Sequence, residues 1–310
     1  MNSAALKKTK NKRDTGRIVF ILFCITIPII NWLIFYVYTN GSAIAMAFKN
    51  SKGVWSLDNF RRFIEEFNLP SSQIRIALKN TLITFGIQFV MFIPQVLVSY
   101  FIYKKVVGYR FFRIVFFLPG ILFSVCTALC FSYMVGVNGF IAQGIGEFLG
   151  LDKVPELLID SRFANYVVWA NMIWLSFPGD LIIWGGTFAR IPNDVLESAK
   201  IDGVTWWQEF TKIIVPLVWP TVALKLVLTI CGVFGATGQV FLLTGGSEQS
   251  KTITLSVWMY KTLLNGSGNE YTSNVYNYLS AVGIIMTVIA VGISLFIRRV
   301  TDKAFDDVDF

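Results

Sequence analysis

The chain has 310 residues, 55% of them hydrophobic, and 28 of them are phenylalanine. A mean hydropathy of +0.60 and a formal net charge of +8 exclude an ordinary soluble domain. They point to a membrane protein whose basic residues set topology rather than bind nucleic acid.

Residues 1–17 carry Lys7, Lys8, Lys10, Lys12, Arg13 and Arg17 ahead of the first apolar run, Ile18–Tyr38. A basic segment before an apolar run is also the pattern of a signal peptide. A 21-residue core without a small-residue cleavage site reads instead as a retained span. Five further runs reach the roughly 20 residues that cross a bilayer. They are Thr81–Tyr103, Ile114–Val135, Tyr166–Trp184, Val218–Leu242 and Tyr278–Ile297. Each is predicted to be a helix, because backbone polar groups in hydrocarbon must satisfy one another. The expected fold is one all-α membrane domain of six transmembrane helices over residues 18–300, with a short tail at 301–310.

Lys and Arg give the orientation. Sixteen of the 27 lie before the first run, in the connections after the second and fourth, or after the sixth; ten lie on the other side, among them Arg61, Arg62, Arg75 and Lys79. The positive-inside rule therefore puts both termini, Lys104–Arg113 and residues 192–216 in the cytoplasm.

On the outer side, residues 56–67 (SLDNFRRFIEEF) open with a Ser/Asp cap signal and space Phe60, Phe63, Ile64 and Phe67 as one helical face. That predicts a short amphipathic helix, either an interfacial anchor or a docking element. Residues 136–163 and 243–277 read as loops long enough to fold over the outer mouth. Within the latter, GGSEQSKT (245–252) departs from a phosphate-binding loop only at Ser250, which stands where the second glycine is needed. With no strand before it, and on the outer side, nucleotide binding is not expected there.

The chain has no histidine, which removes the usual general base and the commonest zinc ligand. Cys24, Cys126, Cys130 and Cys231 all fall within apolar runs and read as packing residues, not as a disulfide or metal framework. The only charges inside the runs are Asp180, near the end of the fourth, and Lys225, near the start of the fifth. Ionisable residues in a membrane are functional candidates by default. The two are either a salt bridge that locks consecutive helices or a polar lining of a transport path. Lys225, Thr229, Gly232 and Ala236 share one small-and-polar face, a pattern that favours close helix packing.

Residues 192–216 are the charged exception between two apolar runs, and they spell helix, turn, helix. Asp194 and Glu197 fit a capping box after Pro192, and Gly203 stands where a left-handed C-terminal residue is wanted. Thr205 and Gln208 fit a second capping box, Trp206, Phe210, Ile213 and Ile214 draw an apolar stripe, and Pro216 is expected to close the segment. A short helix held at a fixed angle to the membrane is a docking device.

Glu197-Ser198-Ala199, then Gly203, then nine residues and Ile213-x-Val215-Pro216 resembles the cytoplasmic EAA loop of permease subunits of ABC importers. Ser198 replaces the usual second Ala, and Val215 the usual Leu. Asp202-Gly203, Lys79-Asn80-Thr81, Phe117-Leu118-Pro119 and Leu243-Thr244-Gly245-Gly246 are similar to the type-I carbohydrate branch, the maltose and multiple-sugar permeases. The resemblance covers roughly residues 75–300. It implies a six-span type-I permease working by alternating access, with an extracellular solute-binding protein delivering a sugar. It implies two ATP-binding cassette ATPase subunits that bind ATP and Mg, leaving this chain without a cofactor or catalytic residues. It also implies a second, homologous permease partner in a bacterial cytoplasmic membrane. Glu197, Ser198, Ala199, Asp202 and Gly203 would then be coupling residues. Position relative to the loop makes Asn171, Trp174, Thr229 and Gly232, with Asp180 and Lys225, candidates for the substrate path. An amide and an indole suit hydroxyls and the apolar face of a sugar ring. Permeases for amino acids, polyamines or phosphonates are the nearer alternatives, and a secondary transporter the more distant one.

Overall fold

The structure, a computed structural model, describes residues 3–50, 52–70, 72–148, 150, 154–232, 234, 238–266 and 272–304. Its helices in chain order are α1 (Ser3–Trp32), α2 (Thr39–Ala47), α3 (Asp58–Asn68), α4 (Gln73–Tyr103), α5 (Tyr109–Ile121), α6 (Ser124–Val135) and α7 (Phe140–Phe148). There follow α8 (Ala164–Phe188), α9 (Asn193–Ile201), α10 (Trp206–Gln208), α11 (Val215–Gly232), α12 (Gly238–Thr244), α13 (Leu255–Gly266) and α14 (Thr272–Ala304). Wider π-type turns at Leu33–Tyr38 and Glu209–Ile214 join α1 to α2 and α10 to α11 without a break. Among the described residues, six helical stretches are long and apolar enough to cross a membrane.

Two compact units divide the chain, Met1–Ile64 with Gly266–Ile285, and Glu65–Asn265 with Met286–Phe310. In the first, the helical run continues past Tyr38 to Ala47, so the first span is longer than its apolar core suggests. The amide of Asn59 donates to the carbonyls of Ala47 (3.0 Å) and Lys49 (2.9 Å), satisfying acceptors freed where α2 ends. The amphipathic reading of residues 56–67 holds: α3 starts at Asp58, Phe63 is buried, and Arg62 lies 4.4 Å over the ring of Tyr278. Ile64 is exposed, so the apolar face is narrower than the spacing predicts.

The second unit is built on α4 and α8, with α5 and α11 alongside. Gln95 of α4 donates to Ser176 of α8 at 2.7 Å, and Trp184 meets Phe92 edge to face at 5.5 Å. The third apolar run is not one helix. Leu122 and Phe123 take extended backbone (ψ 146° and 134°) and separate α5 from α6. Pro119 has already removed one backbone donor from this turn. Gly120 beside it packs so closely on Pro178 that an added Cβ would overlap that ring. The membrane-length apolar stretch here is Ser124–Phe148, displaced from the predicted Ile114–Val135.

Along the fifth run the described helices are α11 up to Gly232 and α12 from Gly238. Ala236 lies outside the described residues. The connections at 136–163 and 243–277, expected as loops, hold α7 and α13, the latter burying Leu255, Val257 and Trp258. All four cysteines are exposed on the chain surface instead of packed in its core.

Residues 245–252 form a polar hairpin in which Gly246, Ser250 and Thr252 are buried and Glu248, Gln249 and Lys251 are exposed. Ser250 is fully buried, hydrogen-bonded to Ser247 and Thr252, and Thr252 in turn meets Thr244 at 2.6 Å. From α4, Asn80 donates to the carbonyls of Lys251 (2.7 Å) and Ile253 (2.9 Å), and Thr81 accepts from the Leu255 amide at 2.9 Å. Lys261 reaches the Gly246 carbonyl at 2.7 Å. The glycines, serines and threonines of this segment are spent on one another and on α4, and the element before it is the helix α12. These contacts fit a structural clasp, not a phosphate cradle.

Candidate functional site

The candidate site is the loop between α8 and α11, together with the intramembrane residues on those two helices. Helix α9 begins two residues earlier than its capping signal implied. Pro192, with φ −60° and ψ 134°, is the residue before the first turn and offers no side-chain cap. Asp194 therefore sits inside the first turn, where its carboxylate favours the positive end of the helix dipole, and the Asp194/Glu197 capping box does not form.

The other end of α9 is as read from the sequence. Gly203 has φ +70°, its amide donates to the Lys200 carbonyl (3.2 Å) and the Val204 amide to that of Ala199 (3.1 Å). This pair of bonds is the Schellman closure, which needs a left-handed residue and so favours glycine. Two residues on, Thr205 and Gln208 form the reciprocal capping box, with the Thr205 amide donating to Gln208 Oε1 at 3.0 Å and the Gln208 amide to Thr205 Oγ1 at 3.4 Å. The turn between the two helices is thus fixed by local bonds.

Burial sorts the residues of α9. Leu196 and Ala199 are buried, and Leu196 joins an apolar cluster with Val96, Tyr100, Trp184, Phe188 and Phe210. Glu197, Ser198, Asp202 and Gly203 are exposed, with Ile201 86% exposed at the tip. The helix stands on the chain through one side and presents carboxylates, a hydroxyl and an apolar tip on the other. Of the five predicted coupling residues, Ala199 alone faces inward, as a seat.

Pro216 does not close the segment. The helical run continues from Trp206 to Gly232, and the π-type turn at Glu209–Ile214 immediately precedes the proline. A wider turn accommodates the missing donor and ring bulk that would otherwise break an α-helix. This turn also buries Glu209, Phe210 and Ile214.

Sequence reasoning missed Glu209. Its carboxylate pairs with Lys104 at the end of α4, with Nζ and Oε1 2.5 Å apart. Beside it Trp206 packs on Phe101 (5.5 Å between ring centres) and Phe210 on Tyr100 (5.2 Å). The available signal was a carboxylate three residues after Trp206 on the apolar stripe, a position that requires a partner.

Within the spans, Asp180 and Lys225 form an ion pair between α8 and α11. Asp180 is buried and Lys225 half-buried. The pair joins two consecutive membrane helices, and both roles read from the sequence, a lock and a polar lining of the path, use such a contact. Thr229 is half-buried and donates to the Lys225 carbonyl at 2.9 Å, while Gly232 is exposed with open space beside it. Trp174 stays at the surface, 37% exposed, stacked on Phe131 at 6.1 Å. Asn171 is fully buried, and neither amide atom has a hydrogen-bond partner. The fourth-span candidates thus fall on different sides of α8, although the helix runs unbroken through Pro178. Among the described residues no group of three His, Cys, Asp or Glu could hold a metal ion.

Residues 168–306, which include the whole loop, match the family profile described as "Binding-protein-dependent transport system inner membrane component". The chain is 25% identical over 205 residues to the multiple sugar-binding transport system permease protein MsmF of Streptococcus mutans, covering 65% of this chain and 66% of that protein. It is 27% identical over 259 residues to the maltodextrin transport system permease protein MalC of Streptococcus pneumoniae, covering 79% and 56%. The chain thus spans less than two thirds of the length of these curated relatives. Its fold matches a chain of a bacterial alginate ABC transporter, crystallised with an alginate pentasaccharide-bound periplasmic protein, at TM-score 0.76 and 23% identity over 96% of this chain and 99% of that one. Residues 168–306 thus match the profile of that transport family, and the chain, with its membrane-length apolar helices, shares the fold of that transporter chain.

Proposed function

We propose that this chain is the membrane-spanning permease subunit of an ATP-driven importer for a carbohydrate. The observation that carries the coupling role is α9: a helix seated by Leu196 and Ala199, fixed at one end by the Gly203 closure, and presenting Glu197 and Ser198 outward. Residues 192–216 face the cytoplasm in this reading and dock on a separate ATPase subunit, one of two, which binds ATP and Mg. A second, homologous permease completes the membrane unit, and an extracellular solute-binding protein delivers the sugar. The sugar assignment is supported by the relatives, named as permeases for multiple sugars and for maltodextrin, and by the alginate transporter that shares the fold.

The substrate path runs along α8 and α11. Trp174, Thr229 and Gly232 offer a ring face, a hydroxyl and open space. The unpartnered amide of Asn171 is a costly group to bury, and it finds partners in a state in which the helices part. Asp180 and Lys225 hold the two helices together.

The test is Glu197→Ala beside Gly203→Val. The first removes a charge-assisted contact to a partner, and the second forces a β-branched residue into a left-handed backbone. Both variants are expected to reach the membrane and yet lose ATPase co-purification or substrate-stimulated hydrolysis in liposomes. Normal assembly and coupled uptake in both would reject the docking role.

A further inference from the structure

A cavity of about 370 Å³ opens among α4, α5 and α8, at the end of the second span where its apolar run gives way to Lys104 and Lys105. That volume holds roughly a dozen waters at about 30 Å³ each, the size of a small polar headgroup. Gly185 and Gly186 of α8 leave the space, and Lys105, Arg113, Tyr103 and Tyr109 line it. No acidic residue lines it.

The basic residues of this turn are not equivalent. Lys104 is taken by Glu209, and Arg110 donates to the Tyr109 hydroxyl at 3.1 Å. Lys105 and Arg113 have no carboxylate partner among the described residues, and both line the cavity. Tyr109 reports this: a hydrogen bond from Arg110, then the charges of Arg110, Lys105 and Arg113, hold its phenol below the ordinary value. Lys105 is also held at φ 54°, a left-handed backbone that a non-glycine residue adopts at a cost. Lys105 and Arg113 thus line one chamber beside the Tyr109 phenol, a setting that suits an anion.

The chemistry on the far side of Arg113 is different. A second hollow of about 270 Å³ shares Arg113 and Phe117 with the cavity and continues over Ile114, Leu118 and Ile121. Apart from Arg113 its lining is wholly apolar, and these residues form one stripe of α5, about 12 Å long at 1.5 Å per residue. A basic chamber at headgroup depth thus opens directly into a hydrocarbon groove. A free anion has no use for the groove, and an apolar peptide has none for the chamber.

We propose that this is a binding site for an anionic membrane phospholipid, with its phosphate between Lys105 and Arg113 and an acyl chain along Phe117, Leu118 and Ile121. Basic pockets between transmembrane helices suit such headgroups.

The test uses the full chain purified in mild detergent, with lipid retention read by native mass spectrometry against added phosphatidylglycerol, phosphatidylcholine or inorganic phosphate. One phosphatidylglycerol should be retained in preference to phosphatidylcholine. Lys105→Gln with Arg113→Gln should weaken that retention about 30-fold, at about 1 kcal/mol per basic residue and 1.4 kcal/mol per tenfold. Gly186→Leu, which fills the chamber without changing charge, should weaken it likewise. Lys52→Gln, a basic residue of the other unit, should change nothing. Equal retention of the two lipids, or full phosphatidylglycerol retention in both the Gln/Gln and the Leu variants, overturns the proposal. So does displacement of the lipid by millimolar inorganic phosphate, which would make this a soluble-anion site.

Discussion

Lys104 closes the C-terminal end of α4 onto Glu209, so that the second half of the loop is tied to the second span, 105 positions earlier in the chain. Glu209 is buried and Lys104 half-buried, which makes the pair costly to break from one side and cheaper to remove whole. Glu209→Ala is expected to destabilise the protein by about 3 kcal/mol, and Lys104→Met with Glu209→Leu by less. Thermal unfolding in detergent measures both. A double variant no more stable than Glu209→Ala would show that the pair is not the tie.

Leu196 and Glu197 are neighbours with opposite duties, one buried in the apolar cluster and one exposed. Leu196→Ala should cost about 3 kcal/mol of stability through the cavity it leaves. Glu197→Ala should leave the melting temperature unchanged while ATPase co-purification falls. Equal loss of stability in both variants would mean that Glu197 belongs to the seat.

Asp180 and Lys225 make a second double-mutant test, this time at span depth. Asp180→Asn or Lys225→Met alone leaves a charge without its partner, and expression in the membrane should drop several-fold. The combination should recover abundance. Recovered abundance with recovered uptake identifies a lock, and recovered abundance without uptake identifies a gate.

Asn80 holds two carbonyls of the 245–255 hairpin. Asn80→Ala leaves both buried acceptors short of a donor, at about 1–3 kcal/mol each, and the hairpin should loosen. Lys251 is exposed at its tip, so limited trypsin digestion should cut there in the variant well before the wild-type chain. Unchanged digestion would place the clasp elsewhere.

Local chemistry was legible in the sequence. Gly203 and the Thr205/Gln208 capping box act within a few residues of themselves, and the structure realises both. What depends on a distant surface was not legible. The break at Leu122–Phe123 accompanies the close approach of Gly120 to Pro178, 58 positions away, and an apolar run gives no sign of it. Asn171 and Trp174 are three residues apart and looked interchangeable, yet one is sealed inside the chain and the other lies at its surface. Which side of a span is covered is decided by its neighbours. Glu209 belongs to the same class, since only the position of Lys104 gives a buried carboxylate its purpose.

The unbroken run from Trp206 to Gly232 is 27 residues, a rod about 40 Å long at 1.5 Å per residue. The Asp180–Lys225 ion pair touches it 19 residues from one end and 7 from the other, which divides it into arms of about 28 Å and 10 Å. A rod pinned there is a first-class lever of nearly three to one. A 3 Å stroke applied beside α9 would swing the region of Gly232 by about 1 Å in the opposite sense, trading distance for force at the far end.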